Sequence, residues 1–258
     1  MTDDLRVRVL QWASGLDPAV NRARLSDGVT NGSRDADLVV FPEAFARDFG
    51  EAGSDVSEFA EPLDGPFAAE VGRLAGQGGT TVVAGMFETS DDPARPFNTL
   101  VVRGGAEADY RKIHLYDSFG YRESDRLTGG ALDPVVVEVE GWRVGLMTCY
   151  DLRFPELARR LVDHGAEVLV VPAAWLPGPL KVDHWRTLLT ARAIENTVYV
   201  VGAAQPAPRY CGHSLVLSPL GEVLAEAGAE ETALEATLSR EALAGARRTN
   251  PSLANRRL

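Results

Sequence analysis

The stretch LMTCYDLRFPEL, residues 146–157, closes an apolar run with Cys149. A cysteine thiolate is a nucleophile, although an unpaired cysteine is more often a small buried side chain without chemistry. Glu43 stands in VVFPEAF, directly after an apolar run and a proline. That position reads either as a solvated charge at a sheet edge or as a carboxylate placed to carry protons. Lys112 lies in the locally amphipathic YRKIHLYD, and a lone lysine is ordinarily a solvated surface charge. Together a thiol, a carboxylate and an ammonium would supply nucleophile, base and charge stabilisation for covalent catalysis. Whether they meet depends on the elements that carry them.

Short apolar runs recur between segments rich in Gly, Pro and charge. LRVRVLQ (5–11) alternates like a strand, and ADLVVFPE (36–43) is a continuous apolar run, the mark of a strand buried on both faces. GTTVVAGMFE (79–88) and FNTLVVRGG (97–105) read as further strands. Residues 18–34 read as a helix with a Gly-Ser end. PFAAEVGRLAGQG (66–78) reads as another, with Pro near its start and Gly at its end. The second half repeats the order. LRVRVLQW matches WRVGLMTC (142–149), and ADLVVFPEAF matches AEVLVVPAAW (166–175). TTVVAGMFE matches TVYVVGAAQ (197–205), and FNTLVVRGG matches GHSLVLSPLG (212–221), with Leu100 beside Leu215. Helical segments at 153–165 and 183–197 occupy the corresponding slots. Two such halves, packed sheet against sheet with helices outside, predict an α/β four-layer α-β-β-α sandwich of two pseudo-symmetric halves. A three-layer doubly wound sheet is the rival.

The repeat separates scaffold from chemistry. Both copies of the second strand end in Pro, but Glu43 in one is Ala173 in the other. Cys149 stands where the first half has Trp12. Each lies at the carboxyl end of a buried strand, where α/β sheets build sites. The segment carrying Lys112 (109–130) belongs to neither copy.

The chain has 258 residues, 45% hydrophobic and 24% charged, an ordinary globular composition. Its net charge of −11 disfavours nucleic acid and anionic membrane as partners. No apolar run approaches the ~18 residues of a membrane span. The start lacks the basic and apolar regions of a signal peptide. Two cysteines make no disulfide framework, and a reduced cytoplasmic compartment is the simpler reading. A papain-like enzyme would need His114 or His213 as base, and no such signature surrounds Cys149. The four histidines, His114, His164, His184 and His213, are too scattered for a metallohydrolase. GHSLV lacks the second glycine of a serine elbow.

FPEAF with Glu43, YRKIHLYD with Lys112 and TCYDLRFPEL with Cys149 resemble the nitrilase superfamily of carbon-nitrogen hydrolases, in that family's order. FNTLVV, VPAAW and HWRTLLTARAIENTVYVVG support the resemblance, which covers residues 5 to about 230. It implies the α-β-β-α sandwich, one domain over 1–258, no cofactor or metal, and a homodimer or larger homo-oligomer. It implies Cys149 as nucleophile, Glu43 as general base, and an oxyanion hole from Lys112 and the backbone N–H of Tyr150. Glu123, in YRESD, matches an auxiliary carboxylate, with an exposed loop charge as its other reading. Tyr116, Trp175 and His184 are expected to line the pocket. The thiol pKa, ordinarily roughly 8.5, is expected to fall beside Lys112 and the N-terminus of a helix starting near Arg153. The wording lies closest to the branch of ω-amidases and deaminated-glutathione amidases. The implied substrate is a small linear carboxylate-bearing amide, with N-carbamoyl amino acids or nitriles as the alternative. Arg122, Arg153 and Arg209 are candidates for holding the carboxylate. A non-catalytic binding protein on the same fold is the reading from a different class.

Overall fold

Leu5–Gln11 forms β1, which buries Leu5, Val7 and Val9 and exposes Arg6, as the alternation predicts. The computed structural model describes residues 4–30 and 36–257. After β1 come α1 (Pro18–Thr30), β2 (Leu38–Val40), α2 (Pro66–Gly78), β3 (Thr81–Glu88), β4 (Phe97–Arg103) and β5 (Ala108–Arg111). A small hairpin, β6 (Asp117–Ser118) and β7 (Tyr121–Arg122), leads to β8 (Val136–Val139) and β9 (Trp142–Leu146). Then follow α3 (Pro155–Asp163), β10 (Val168–Ala173), α4 (Lys181–Asn196), β11 (Tyr199–Ala204) and β12 (Leu215–Leu217). The chain closes with β13 (Val223–Glu226), β14 (Thr232–Leu238) and α5 (Arg240–Thr249).

Two six-stranded sheets result, ordered β14-β1-β2-β3-β4-β5 and β13-β12-β11-β10-β9-β8. Each has three parallel strands at its centre, β1 to β3 or β9 to β11, with antiparallel strands outside. Successive β2 side chains point to opposite faces. Leu38 and Val40 join Val144, Leu146, Val168 and Val170 in the core shared with the second sheet. Val39 instead packs with Leu25, Val29, Val71 and Leu74 of α1 and α2. Helices α3 and α4 cover the second sheet. The four-layer sandwich of two similar halves is therefore the observed architecture, and the doubly wound rival is not. Among the described residues no helix is long and apolar enough to cross a membrane.

The first two repeat matches agree with the strand register. Val7 pairs with Leu38 as Val144 pairs with Val168, and Val9 with Val40 as Leu146 with Val170. The third is displaced by one. Leu38 pairs with Thr81 and Val168 with Tyr199, so Thr81 corresponds to Tyr199, not to Val198. The fourth shifts with it: Val102 and Val216 hold equivalent places, opposite Val83 and Val201.

Helix boundaries follow local chemistry. Pro66 opens α2, and Gly79, at φ 63°, caps it with its N–H on the Ala75 carbonyl. Helix α1 runs to Thr30, and the expected Gly-Ser end lies outside the described residues. The helix expected from Arg153 divides in two. Cys149–Arg153 forms a 3₁₀ turn, Phe154 is extended at φ −109°, and α3 starts at Pro155. A residue before proline is pushed out of the helical region, which forces the break.

Candidate active site

Glu43 sits just past β2. Phe41 still donates to the Val83 carbonyl at 2.8 Å, but Pro42 has no N–H, and the chain turns away. The turn lies flat on β3 because position 85 is glycine. A Cβ there would stand 2.4 Å from the Ala44 nitrogen and 3.0 Å from the Glu43 Cα. Gly85→Ala is expected to displace Glu43, lowering turnover and costing about 1–3 kcal/mol of stability; kcat and a denaturant midpoint check it.

The Glu43 carboxylate is 1% exposed and fully engaged. Its Oε1 accepts from Asn98 Nδ2 at 2.7 Å and from Lys112 Nζ at 2.9 Å. Its Oε2 accepts from the backbone N–H of Ala174, just past β10, at 2.7 Å. Gln205, beyond β11, donates to the Glu43 carbonyl at 2.9 Å. The second half thus holds the first half's carboxylate.

Lys112 follows the last residue of β5, and its N–H is fixed to the Asn98 carbonyl at 2.8 Å. Its ammonium meets Glu43 and both oxygens of Glu123, at 3.0 and 2.9 Å. Burial opposes its charge, but Glu123 and Glu43 outweigh burial and hold its pKa well above the usual range. Glu123 is buried in a 3₁₀ turn and also accepts from the Tyr116 N–H at 2.6 Å. Burial, then Glu43, pushes its pKa up, against the pull of Lys112. The exposed-loop reading of Glu123 does not hold.

Cys149 opens the 3₁₀ turn three residues past β9 with φ 46°, a left-handed conformation that costs a non-glycine residue about 1–2 kcal/mol. Its turn is fastened by Asp151, whose carboxylate accepts from the Thr148 N–H at 2.8 Å, Tyr110 at 2.6 Å and His114 Nδ1 at 2.7 Å. Arg192 of α4 donates to the Leu152 carbonyl at 2.7 Å. The Cys149 thiol shift runs opposite to expectation. Burial raises its pKa well above the ordinary value, Glu43 raises it further by charge and by accepting the thiol hydrogen bond, and Lys112 offsets this only in part. Lys112 is already balanced by two carboxylates, and the turn at the sulfur is a short 3₁₀ segment, not the start of α3.

Glu43, Lys112, Glu123 and Cys149 line one cavity of about 160 Å³, with Tyr116 and Trp175 on its walls. The Tyr150 ring packs edge-on to Tyr116 at 5.0 Å, and its N–H is among the first of the turn, which lack partners within it. His184 does not line the cavity; its Nδ1 lies 3.5 Å from Arg153 Nη2, and Arg153 stacks over Trp175. Arg122 is exposed beside Asp125, and Arg153 lies outside the lining. Arg209 lines the cavity but is paired with Asp48 at 2.7 Å.

Sequence reasoning passed over two groups. Asn98 was visible only as part of FNTLVV. Lys181, at the start of α4, lines the cavity and is 7% exposed. A compositional signal marks it: of 26 basic residues only Lys112 and Lys181 are lysines, and both point into this cavity.

Comparison with known proteins agrees with the fold. A hydrolase of Mycobacterium tuberculosis is 41% identical over 94% of this chain and 92% of its own length. A deaminated glutathione amidase of Escherichia coli O157:H7 is 42% identical over 86% of each chain. Among solved structures, a CN-hydrolase superfamily protein from Xanthomonas campestris superposes with TM-score 0.89 at 30% identity, over 99% of this chain and 98% of that one. A double mutant of the amidase from Nesterenkonia sp. AN1 in complex with acrylamide superposes with TM-score 0.83 at 27% identity, over 99% of this chain and 95% of that one. Residues 6–248 match the family described as carbon-nitrogen hydrolase, and the chain belongs to that family.

Proposed function

We propose that this protein hydrolyses a small linear amide bearing a carboxylate, through a thioester on Cys149, releasing ammonia and a carboxylic acid. The observation that carries the reading is the convergence of Cys149, Glu43 and Lys112 on one cavity, with the buried Glu43 carboxylate bonded to the Lys112 ammonium at 2.9 Å. The thiol is held neutral, so attack on the amide carbon requires a base, and Glu43 takes the proton as the S–C bond forms. The oxyanion is received by the Lys112 ammonium and the Tyr150 N–H. As the C–N bond breaks, Glu43 returns the proton to the departing ammonia. Glu43 then removes a proton from water as it attacks the thioester, and Cys149 leaves as the thiol. Glu123 keeps Lys112 charged and aimed throughout.

The cavity volume suits a small molecule, and relatives named deaminated glutathione amidase and (R)-stereoselective amidase support the amide class. An ammonia-release screen over ω-amides, deaminated glutathione, N-carbamoyl amino acids and nitriles tests the choice. Carboxylate-bearing amides are expected to give the highest kcat/KM. Cys149→Ala is expected to cut turnover by on the order of 10⁴-fold or more. Unimpaired turnover by that variant would overturn the mechanism.

A further inference from the structure

We propose that Lys181 is the anchor for the substrate's distal carboxylate, an inference that rests on the amidase reading above. Three cations line the cavity. Lys112 is shared by Glu43 and Glu123, and Arg209 is paired with Asp48. Among the described residues Lys181 has no acidic partner. Its ammonium donates to the Tyr116 hydroxyl at 3.0 Å and otherwise faces aromatic rings: Phe119 at 4.0 Å, Tyr116 at 5.2 Å and Trp175 at 5.9 Å.

A buried ammonium is ordinarily paired with an anion. Ring faces attract the charge but do not neutralise it, and two N–H donors remain beyond the one given to Tyr116. The position is built for rigidity. Leu180 before it takes φ 59°, and the Lys181 carbonyl accepts from Trp175 Nε1 at 2.9 Å. Glu51 also lines the cavity, but it is exposed.

Tyr116 sets the spacing. Its backbone N–H reaches Glu123, which holds Lys112, and its hydroxyl reaches Lys181. The two ammonium groups are thus linked through one tyrosine, Lys112 by way of Glu123 at its backbone N–H and Lys181 at its hydroxyl. A substrate with its amide carbonyl at Lys112 and its carboxylate at Lys181 is therefore a short ω-amide of a dicarboxylic acid. A compact ammonium needs less room than a planar guanidinium, and lysine stands here in a chain that uses arginine at nearly every other basic position.

Two measurements on the full-length protein test this. In the first, kcat/KM is measured for succinamate and for the neutral butyramide. Lys181→Met is expected to lower the succinamate-to-butyramide ratio about 10- to 100-fold, chiefly through KM, with partial recovery in Lys181→Arg. Equal losses on both substrates would overturn the anchor role and leave Lys181 structural. In the second, succinate binding to the resting protein is followed by calorimetry, independently of turnover. Binding by the wild type and a tenfold or greater loss in Lys181→Met support the anchor, and no binding by the wild type overturns it. A wild type that binds succinate but hydrolyses neither amide would sink the amidase reading alone.

Discussion

Replacing Glu43 by Gln is expected to stop turnover and at the same time make Cys149 easier to alkylate. The two effects have one origin. In the proposed mechanism Glu43 is the general base, and loss of such a base costs about 10²–10⁴-fold in kcat. The same carboxylate, after burial, holds the thiol pKa up, by its charge and by accepting the thiol hydrogen bond. Glutamine removes the charge and keeps the shape, so the pKa falls toward its ordinary value and the thiolate fraction at a given pH rises. The check is the pH profile of iodoacetamide alkylation in a Cys211→Ser background, which removes the other thiol. An alkylation curve that stays in place or moves to higher pH would contradict the assignment. A thiol already activated by Lys112 and the turn would show no such gain.

Lys112→Met is expected to damage both stability and catalysis. It leaves Glu43 and Glu123 facing each other in a buried site with no cation between them. Removing one partner of a buried pair costs about 3–5 kcal/mol, and loss of an oxyanion donor costs about 10²–10³-fold in kcat. The damage depends on pH. Lys112 pulls the Glu123 pKa down, so its removal drives an already raised pKa higher. A carboxyl raised in the folded state contributes stability below its unfolded pKa and loses it as pH rises through the folded pKa. The variant's melting temperature should therefore fall more steeply than the wild type's as pH rises above about 5. Adding Glu123→Gln should recover much of the stability and none of the turnover. A pH-independent deficit, or recovery of turnover, would refute this account.

Glu43 and Cys149 were legible because the second copy of each strand acts as an internal control. Ala173 and Trp12 show that the strands form without them. The third and fourth repeat matches slipped by one residue for a physical reason. Strands β3 and β11 are buried along their whole lengths, so neither shows the alternation that pins a register. The direction of the thiol shift was not legible, since it depends on burial and on Glu43, more than 100 residues away in sequence. The family resemblance put Lys112, Glu43 and Glu123 in one pocket with Cys149, but the balance among their charges and burial was not readable from residue types. His184 lay in a motif next to Trp185, yet the helix turns it toward Arg153, outside the cavity. Lys181 escaped because a lone lysine before a helix looks like any surface charge until its aromatic surroundings are known.

The first sheet is finished by the last strand. β14 pairs with β1 from Leu5↔Leu238 to Gln11↔Thr232. During synthesis on the ribosome, the outer edge of β1 waits bare while the residues between Gln11 and Thr232 emerge. A bare edge invites pairing with other chains, and contacts this distant in sequence form slowly. Cys149, Glu43 and the second-half groups that hold Glu43, Ala174 and Gln205, are all made before β14, so closure of this sheet follows assembly of the cavity's parts. The newborn chain's exposure to edge-to-edge pairing therefore lasts until β14 arrives.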